Sequence, residues 1–169
     1  FDIRLSYPIH SINFGVKKVG VSFTSLSNPY LQSDIIEKYI SDRIRLFNNK
    51  IFLFLSFKSI QNGLTDESNL SNTEKFDINL SLYPHKKLPS LTFNYAQYIK
   101  ESGSLISYDD GTEPIDNRLN TQTNNFNIYI NYIFNLFNYN HNISTSYFES
   151  KKIDLLFDDF INNHDYFSP

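Results

Sequence analysis

From Phe126 to Tyr139 the chain reads FNIYINYIFNLFNY, and the residues alternate in kind. Phe126, Ile128, Ile130, Tyr132, Phe134 and Leu136 fall on one parity, while Asn127, Asn131 and Asn135 share the other with Tyr129, Ile133 and Phe137. Side chains of a strand point to opposite faces with a period of two. The stretch therefore specifies a strand with one apolar face and one mostly amide-bearing face. Phe76, Ile78, Leu80 and Leu82 alternate in the same way with Asp77, Asn79, Ser81 and Tyr83. Leu91, Phe93, Tyr95 and Ile99 alternate with Thr92, Asn94, Ala96 and Tyr98, and Ile44 and Leu46 with Arg43 and Arg45. Over Ile51 to Leu55 both parities are apolar and the pattern weakens.

Composition favours the same class. Aromatic residues make up 17% of the chain, all of them Phe or Tyr, and Ala96 is the one alanine. Such a chain suits strands and argues against a helical bundle.

The strand candidates come in pairs: Ile3 to Tyr7 with Ile12 to Phe23, Glu37 to Phe47 with Lys50 to Ile60, Glu74 to Tyr83 with Leu91 to Lys100, and Thr123 to Phe137 with His141 to Phe148. Within a pair the joins are short: a break at Pro8, the pair Asn48-Asn49, PHKKLPS, and NYN. Asn tolerates the positive φ of a tight turn. Between pairs the connections are long, polar and acidic, as in QNGLTDESNLSN and ESGSLISYDDGTEPIDNRLN. Short turns at one end and long loops at the other mark an antiparallel up-and-down β-barrel of the transmembrane type. The strands reach the roughly 9–11 residues of a tilted membrane crossing. The expectation is all-β, with about eight strands or a piece of a larger barrel. Residues 1–169 read as one barrel unit, expected to be a fragment, with 153–169 an ambiguous tail. Leu155, Leu156, Phe157 and Phe160 there suit either a short amphipathic helix or another strand.

The apolar face is large and repetitive, with almost no small residue to relieve it, whereas an internal core must pack densely. A lipid-facing surface needs only hydrophobicity. Ile78, Leu80, Phe93, Ile128, Ile130 and Phe134 are accordingly expected to face lipid. Several of Tyr7, Tyr83, Tyr98, Tyr132, Tyr139 and Tyr147 fall near strand ends, where interfacial aromatic girdles sit.

The formal net charge of -3, with Lys and Arg scattered, gives no argument for nucleic acid. The absence of Cys removes disulfides and thiolate chemistry. With no Met and with Phe1 first, the chain reads as a processed or excised piece, any signal peptide lying outside it. No run approaches the ~20 apolar residues of a membrane helix.

VGVSFTSLSNPYLQSDIIEKYISDRIRLFNNKIFLFLSF and LYPHKKLPSLTFNY together resemble a recurring segment of uncharacterised bacterial outer-membrane β-barrel proteins. The first motif lies at Ser25 to Asp34, with Ser27 where Gly is expected and Ser33 where Asn is expected; Tyr83-Pro84 and Leu88-Pro89-Ser90 carry the second. The likeness covers about half the chain. It implies a barrel in a bacterial outer membrane, partnered by membrane lipid and by outer-membrane assembly machinery, and it names no cargo. Complete barrels of this class commonly end on an aromatic residue. This chain ends on Pro169, which is expected of an internal segment.

Chemistry-bearing clusters are few. Asp109, Asp110, Glu113 and Asp116 form an acidic loop whose oxygens suit Ca²⁺, although their spacing is not that of an EF-hand and a solvated loop is the plainer reading. His10, His85, His141 and His164 have no ligand spacing. No nucleophile elbow, P-loop or dinucleotide fingerprint occurs. The sequons at Asn69, Asn79 and Asn142 are expected by chance in an Asn-rich chain. Lys17, Lys18, Arg43, Arg45 and Lys58 suit a lumen that attracts anions, but the favoured expectation is a lumen charge network of Arg43, Arg45, Lys58 and Asp77, with Glu37 as a further partner. The expected role is structural, pore-forming or transport-related, non-enzymatic and without cofactors. The alternatives are a soluble lipocalin-like barrel holding an apolar small molecule, and a surface adhesin or assembly factor.

Overall fold

Each alternating stretch is a strand, and each strand pairs with a neighbour close in the chain. The computed structural model describes residues 1–20, 34–63, 70–85, 88–103, 105–106, 115–116, 118–156 and 161–168; for 105–106, 115–116 and 161–168 the description is of the backbone. The strands are β1 (Asp2–Ser6), β2 (His10–Val19), β3 (Ile35–Leu46), β4 (Ile51–Asn62), β5 (Ser71–Leu82), β6 (Ser90–Ser102), β7 (Leu105–Ile106), β8 (Ile115–Asp116), β9 (Leu119–Leu136), β10 (Tyr139–Asp154) and β11 (Ile161–Ser168). Among the described residues there is no helix.

Nine of the strands form one antiparallel sheet in the order β1-β2-β3-β4-β5-β6-β9-β10-β11. The two-residue strands β7 and β8 pair with each other inside the β6–β9 connection. The sheet is an up-and-down meander and is open, because β1 and β11 occupy its two ends and do not pair together. The anticipated all-β antiparallel up-and-down fold is present, and the open sheet is consistent with a piece of a barrel. The tail that sequence leaves undecided contains β11, which runs along β10 with Tyr147 opposite Phe167 and Ile153 opposite Ile161.

All the short connections lie at one end of the meander, at residues 7–9, 47–50, 83–89 and 137–138. Their chemistry explains why they turn. Pro8, Pro84 and Pro89 interrupt the ladder where no strand hydrogen bond is needed. Asn48 and Asn49 take positive φ of 55° and 64° after Phe47 at 52°. The β9–β10 turn is Phe137-Asn138, with φ of 54° and 65°, so β10 begins at Tyr139 rather than after NYN. The turns are also staggered. Ser6 pairs with Ser11, whose partner on β3 is Arg43, while the β9–β10 ribbon continues to Leu136 and Tyr139, well past Asn131 where β6 begins. Stagger of this kind accompanies tilted strands in a barrel wall.

Among the described residues no second layer covers the sheet. Val19 and Ile35 are the buried hydrophobic residues among those described, and none of the large side chains is fully enclosed. The tightest backbone approach is at Gly15 on β2, which faces Asp2 on one side and Tyr39 on the other. A Cβ there would meet the Phe1 carbonyl oxygen and the Tyr39 hydroxyl, each at 2.6 Å. Gly15 thus lets the Tyr39 ring lie across β2.

Candidate membrane interface and polar face

In an antiparallel ladder, directly opposed residues project to the same side, so register assigns the faces. Leu82 is opposite Ile51 and Leu91, Leu80 opposite Leu53 and Phe93, and Ile78 opposite Leu55 and Tyr95. Phe93 and Leu91 continue the rows to Ile128 and Ile130 on β9. Ile78, Leu80, Phe93, Ile128, Ile130 and Phe134 therefore share one face. Phe14 opposite Ile40, and Ile40 opposite Phe57, carry the same belt across β2, β3 and β4. Edge-to-face ring contacts knit it together, with centroids 5.2 Å apart for Phe93 and Phe126 and 6.2 Å apart for Phe126 and Tyr147.

The belt has boundaries. Towards the long connections it stops at an amide cluster, where Asn124 Oδ1 accepts hydrogen bonds from Tyr95 Oη at 3.3 Å and from Gln97 Nε2 and Gln122 Nε2 at 3.1 Å each. Beyond that row apolar residues are scattered, as with Ile99 and Ile153 flanking Gln122. Towards the short turns it runs into exposed aromatic residues, Phe47 at 72%, Tyr83 at 51%, Phe137 at 83% and Tyr139 at 73% of their full surface. Tyr7 lies with them, and Tyr132 stacks on Phe134 at 5.4 Å. Tyr98 and Tyr147 sit apart from this end. Tyr98 is on the polar face, and Tyr147 lies opposite Ile128 with its hydroxyl donating to Glu149 Oε2 at 3.1 Å.

One ionisable pair interrupts the belt. His10 Nδ1 lies 2.9 Å from Asp42 Oδ2 on the face that also carries Ile12, Ile44 and Leu55. Asp42 Oδ1 is shielded from solvent and has no partner among the described residues.

The opposite face is rich in amides, hydroxyls and charges, with Phe52, Phe54 and Ile60 among them on β4. Asn79, Asn94 and Asn127 stand in one row, with Asn79 Nδ2 donating to Asn94 Oδ1. Asn125 Oδ1 accepts from Ser150 Oγ at 2.7 Å. Lys58 and Lys75 are directly opposed, and each has its own carboxylate: Lys58 with Glu37 at 2.9 Å, Lys75 with Asp77 at 3.3 Å. The Lys75 ammonium also lies 5.0 Å from the centre of the Tyr98 ring, and the Arg43 guanidinium 5.6 Å from that of Phe54.

Arg43, Arg45, Lys58 and Asp77 thus lie on one face but do not join each other: Lys58 pairs with Glu37, Asp77 with Lys75, and Arg43 lies over Phe54. Lys75 and Arg4 belong to the same face and were missed from sequence, Arg4 because a five-residue strand carries little parity signal. Asp109, Asp110 and Glu113 lie outside the described residues, and Asp116 is described as backbone in β8. Among the described residues no group of three His, Asp or Glu side chains is arranged to hold a metal ion.

No protein-family model, curated protein or solved structure matches this chain.

Proposed function

We propose that this chain forms part of the wall of a β-barrel crossing a bacterial outer membrane. Ile78, Leu80, Phe93, Ile128, Ile130 and Phe134 then meet lipid, and the Asn-, Ser- and Lys-rich face meets the barrel interior. The observation carrying this reading is an apolar belt on one face of a broad sheet on which no layer packs among the described residues. In water such a face is covered by helices or a second sheet. Lipid satisfies it without a packed partner. At about 3.4 Å per residue the belt from Phe126 to Leu136 runs roughly 34 Å, which a strand tilted by ~40° projects to about 26 Å. A transmembrane barrel carries an apolar band about 25 Å tall between aromatic girdles. Unpaired edges are not tolerated in hydrocarbon, so β1 and β11 require further strands as partners.

The role supported by this placement is structural, pore-forming or transport-related rather than catalytic. Its partners are membrane lipid and the machinery that inserts outer-membrane barrels. Fractionation of cells making the protein tests the reading. Retention in the outer membrane through a carbonate wash, with release by detergent, supports it. Recovery in the aqueous fraction overturns it and makes the belt the lining of a ligand cavity or a partner interface.

A further inference from the structure

Three arginines, Arg4, Arg43 and Arg45, lie on the polar face near the β1–β3 edge. Among the described residues none has a carboxylate within ion-pair distance. The nearby acids are otherwise engaged. Glu37 holds Lys58, and Asp42 belongs to the opposite face. Asn13, in the orientation that satisfies its amide, donates to Asp2 Oδ1 at 2.6 Å and to the Ile3 carbonyl at 3.0 Å. Like charges repel, and among the described residues no carboxylate pairs with these arginines to offset that repulsion.

The register sets the surroundings of these arginines. Arg4 is opposite Asn13, Asn13 opposite Ser41, and Ser11 opposite Arg43. Arg4, Ser11, Asn13, Ser41, Arg43 and Phe54 surround a polar hollow of about 130 Å³. Liquid water occupies about 30 Å³ per molecule, so the space suits an ion of several heavy atoms. The Phe54 ring against the Arg43 guanidinium limits the freedom of that side chain. The hydroxyls of Ser11 and Ser41 bond to no other side chain among the described residues, leaving their protons available.

We propose that Arg4 and Arg43, with the Ser11 and Ser41 hydroxyls, form a binding site for a tetrahedral oxyanion of the phosphate class. Each guanidinium offers a planar pair of N–H donors matched to two oxygens, and the two hydroxyls add single donors. A carboxylate has two oxygens to spread over this set, whereas a phosphate group brings more acceptors and more charge. The site lies on the face opposite the apolar belt, so it stands whichever medium covers that belt.

Calorimetric titration of the folded full chain, in detergent if it requires one, with inorganic phosphate and separately with acetate tests the proposal. Saturable phosphate binding is expected, tighter than acetate, with Arg43→Gln and Arg4→Gln each weakening it by about tenfold. Ser41→Ala, which removes a donor without changing charge, is expected to weaken it less. Lys152→Gln, far across the sheet on β10, is expected to leave it unchanged. Far-ultraviolet circular dichroism confirms that each variant is folded before titration. Absence of binding, acetate binding as tightly as phosphate, or equal weakening by Lys152→Gln overturns the site.

Discussion

His10 Nδ1 and Asp42 Oδ2 are 2.9 Å apart across the β2–β3 pair, on the face otherwise given to Ile12, Ile44 and Leu55. A carboxylate can only accept, so the imidazole donates. Removing the donor leaves Asp42 with two unsatisfied oxygens, since Oδ1 already has no partner among the described residues. His10→Ala is therefore expected to destabilise the fold by about 1–3 kcal/mol. The pair His10→Phe with Asp42→Leu is expected to cost less than His10→Ala alone, because an apolar replacement leaves nothing unpaired. Denaturant midpoints of the variants decide it; a double variant weaker than the single one contradicts this account.

Substituting arginine on the two faces separates their environments. Leu80→Arg and Ile130→Arg are each expected to cost about 2–4 kcal/mol near the midplane of a bilayer. Asn79→Arg, on the polar face beside Asn94, is expected to be tolerated. Folded fractions after insertion into lipid vesicles provide the measurement, and equal tolerance on both faces defeats the lipid assignment.

At Gly15 the effect is steric. Gly15→Ala pushes a methyl group into the Phe1 carbonyl and the Tyr39 hydroxyl, with an expected loss of about 1–3 kcal/mol. Adding Tyr39→Leu should recover part of this loss and not all of it, because the carbonyl stays where it is. Full recovery would show that the ring alone sets the limit.

The turn residue Phe137 holds a φ of 54°, in the left-handed region that non-Gly residues occupy at a cost of about 1–2 kcal/mol. Asn tolerates it better, so Phe137→Asn is expected to raise the unfolding midpoint in detergent micelles. Lower stability there would mean that the exposed ring contributes more by its apolar contacts than its backbone costs.

Lys58 and Lys75 are directly opposed, and Glu37 and Asp77 offset the repulsion between their ammonium groups. Glu37→Gln leaves the two ammonium groups with one carboxylate between them. The expected loss is below about 1 kcal/mol for a part-exposed pair and shrinks as salt rises. A double-mutant cycle between Glu37 and Lys58 at two ionic strengths measures it, and a salt-independent coupling contradicts this origin.

The apolar belt was legible in the sequence because each strand carries its own parity. Phe76 to Leu82 and Leu91 to Tyr95 could hardly be anything but strands. The ends towards the long connections were not legible. Residues 120–125 of β9 and 149–152 of β10 are polar on both parities, so nothing alternates there, yet the ladder runs from Glu149 opposite Phe126 to Asp154 opposite Thr121. β11 escaped for the same reason. Asn162, Asn163, His164 and Asp165 have no face to declare, and pairing with β10 makes them a strand. The polar-face contacts depend on register, which no single strand contains. Lys58 meets Glu37 only because Ile60 stands opposite Glu37, which brings Lys58 one pair along the same face. Phe137 misled the placement of its turn, since an aromatic residue is a poor choice for left-handed backbone.

Each ladder of the large sheet joins strands that are consecutive in the chain, except where the small β7–β8 hairpin intervenes between β6 and β9. Loop closure is correspondingly inexpensive, and the wall can zip up hairpin by hairpin. A sheet built this way has no keystone. Inserting or deleting a two-strand unit between two hairpins changes the number of strands in the sheet while leaving the register inside every other hairpin intact. The width of the sheet is thus open to change by duplication of short gene segments, with no need to redesign a shared core.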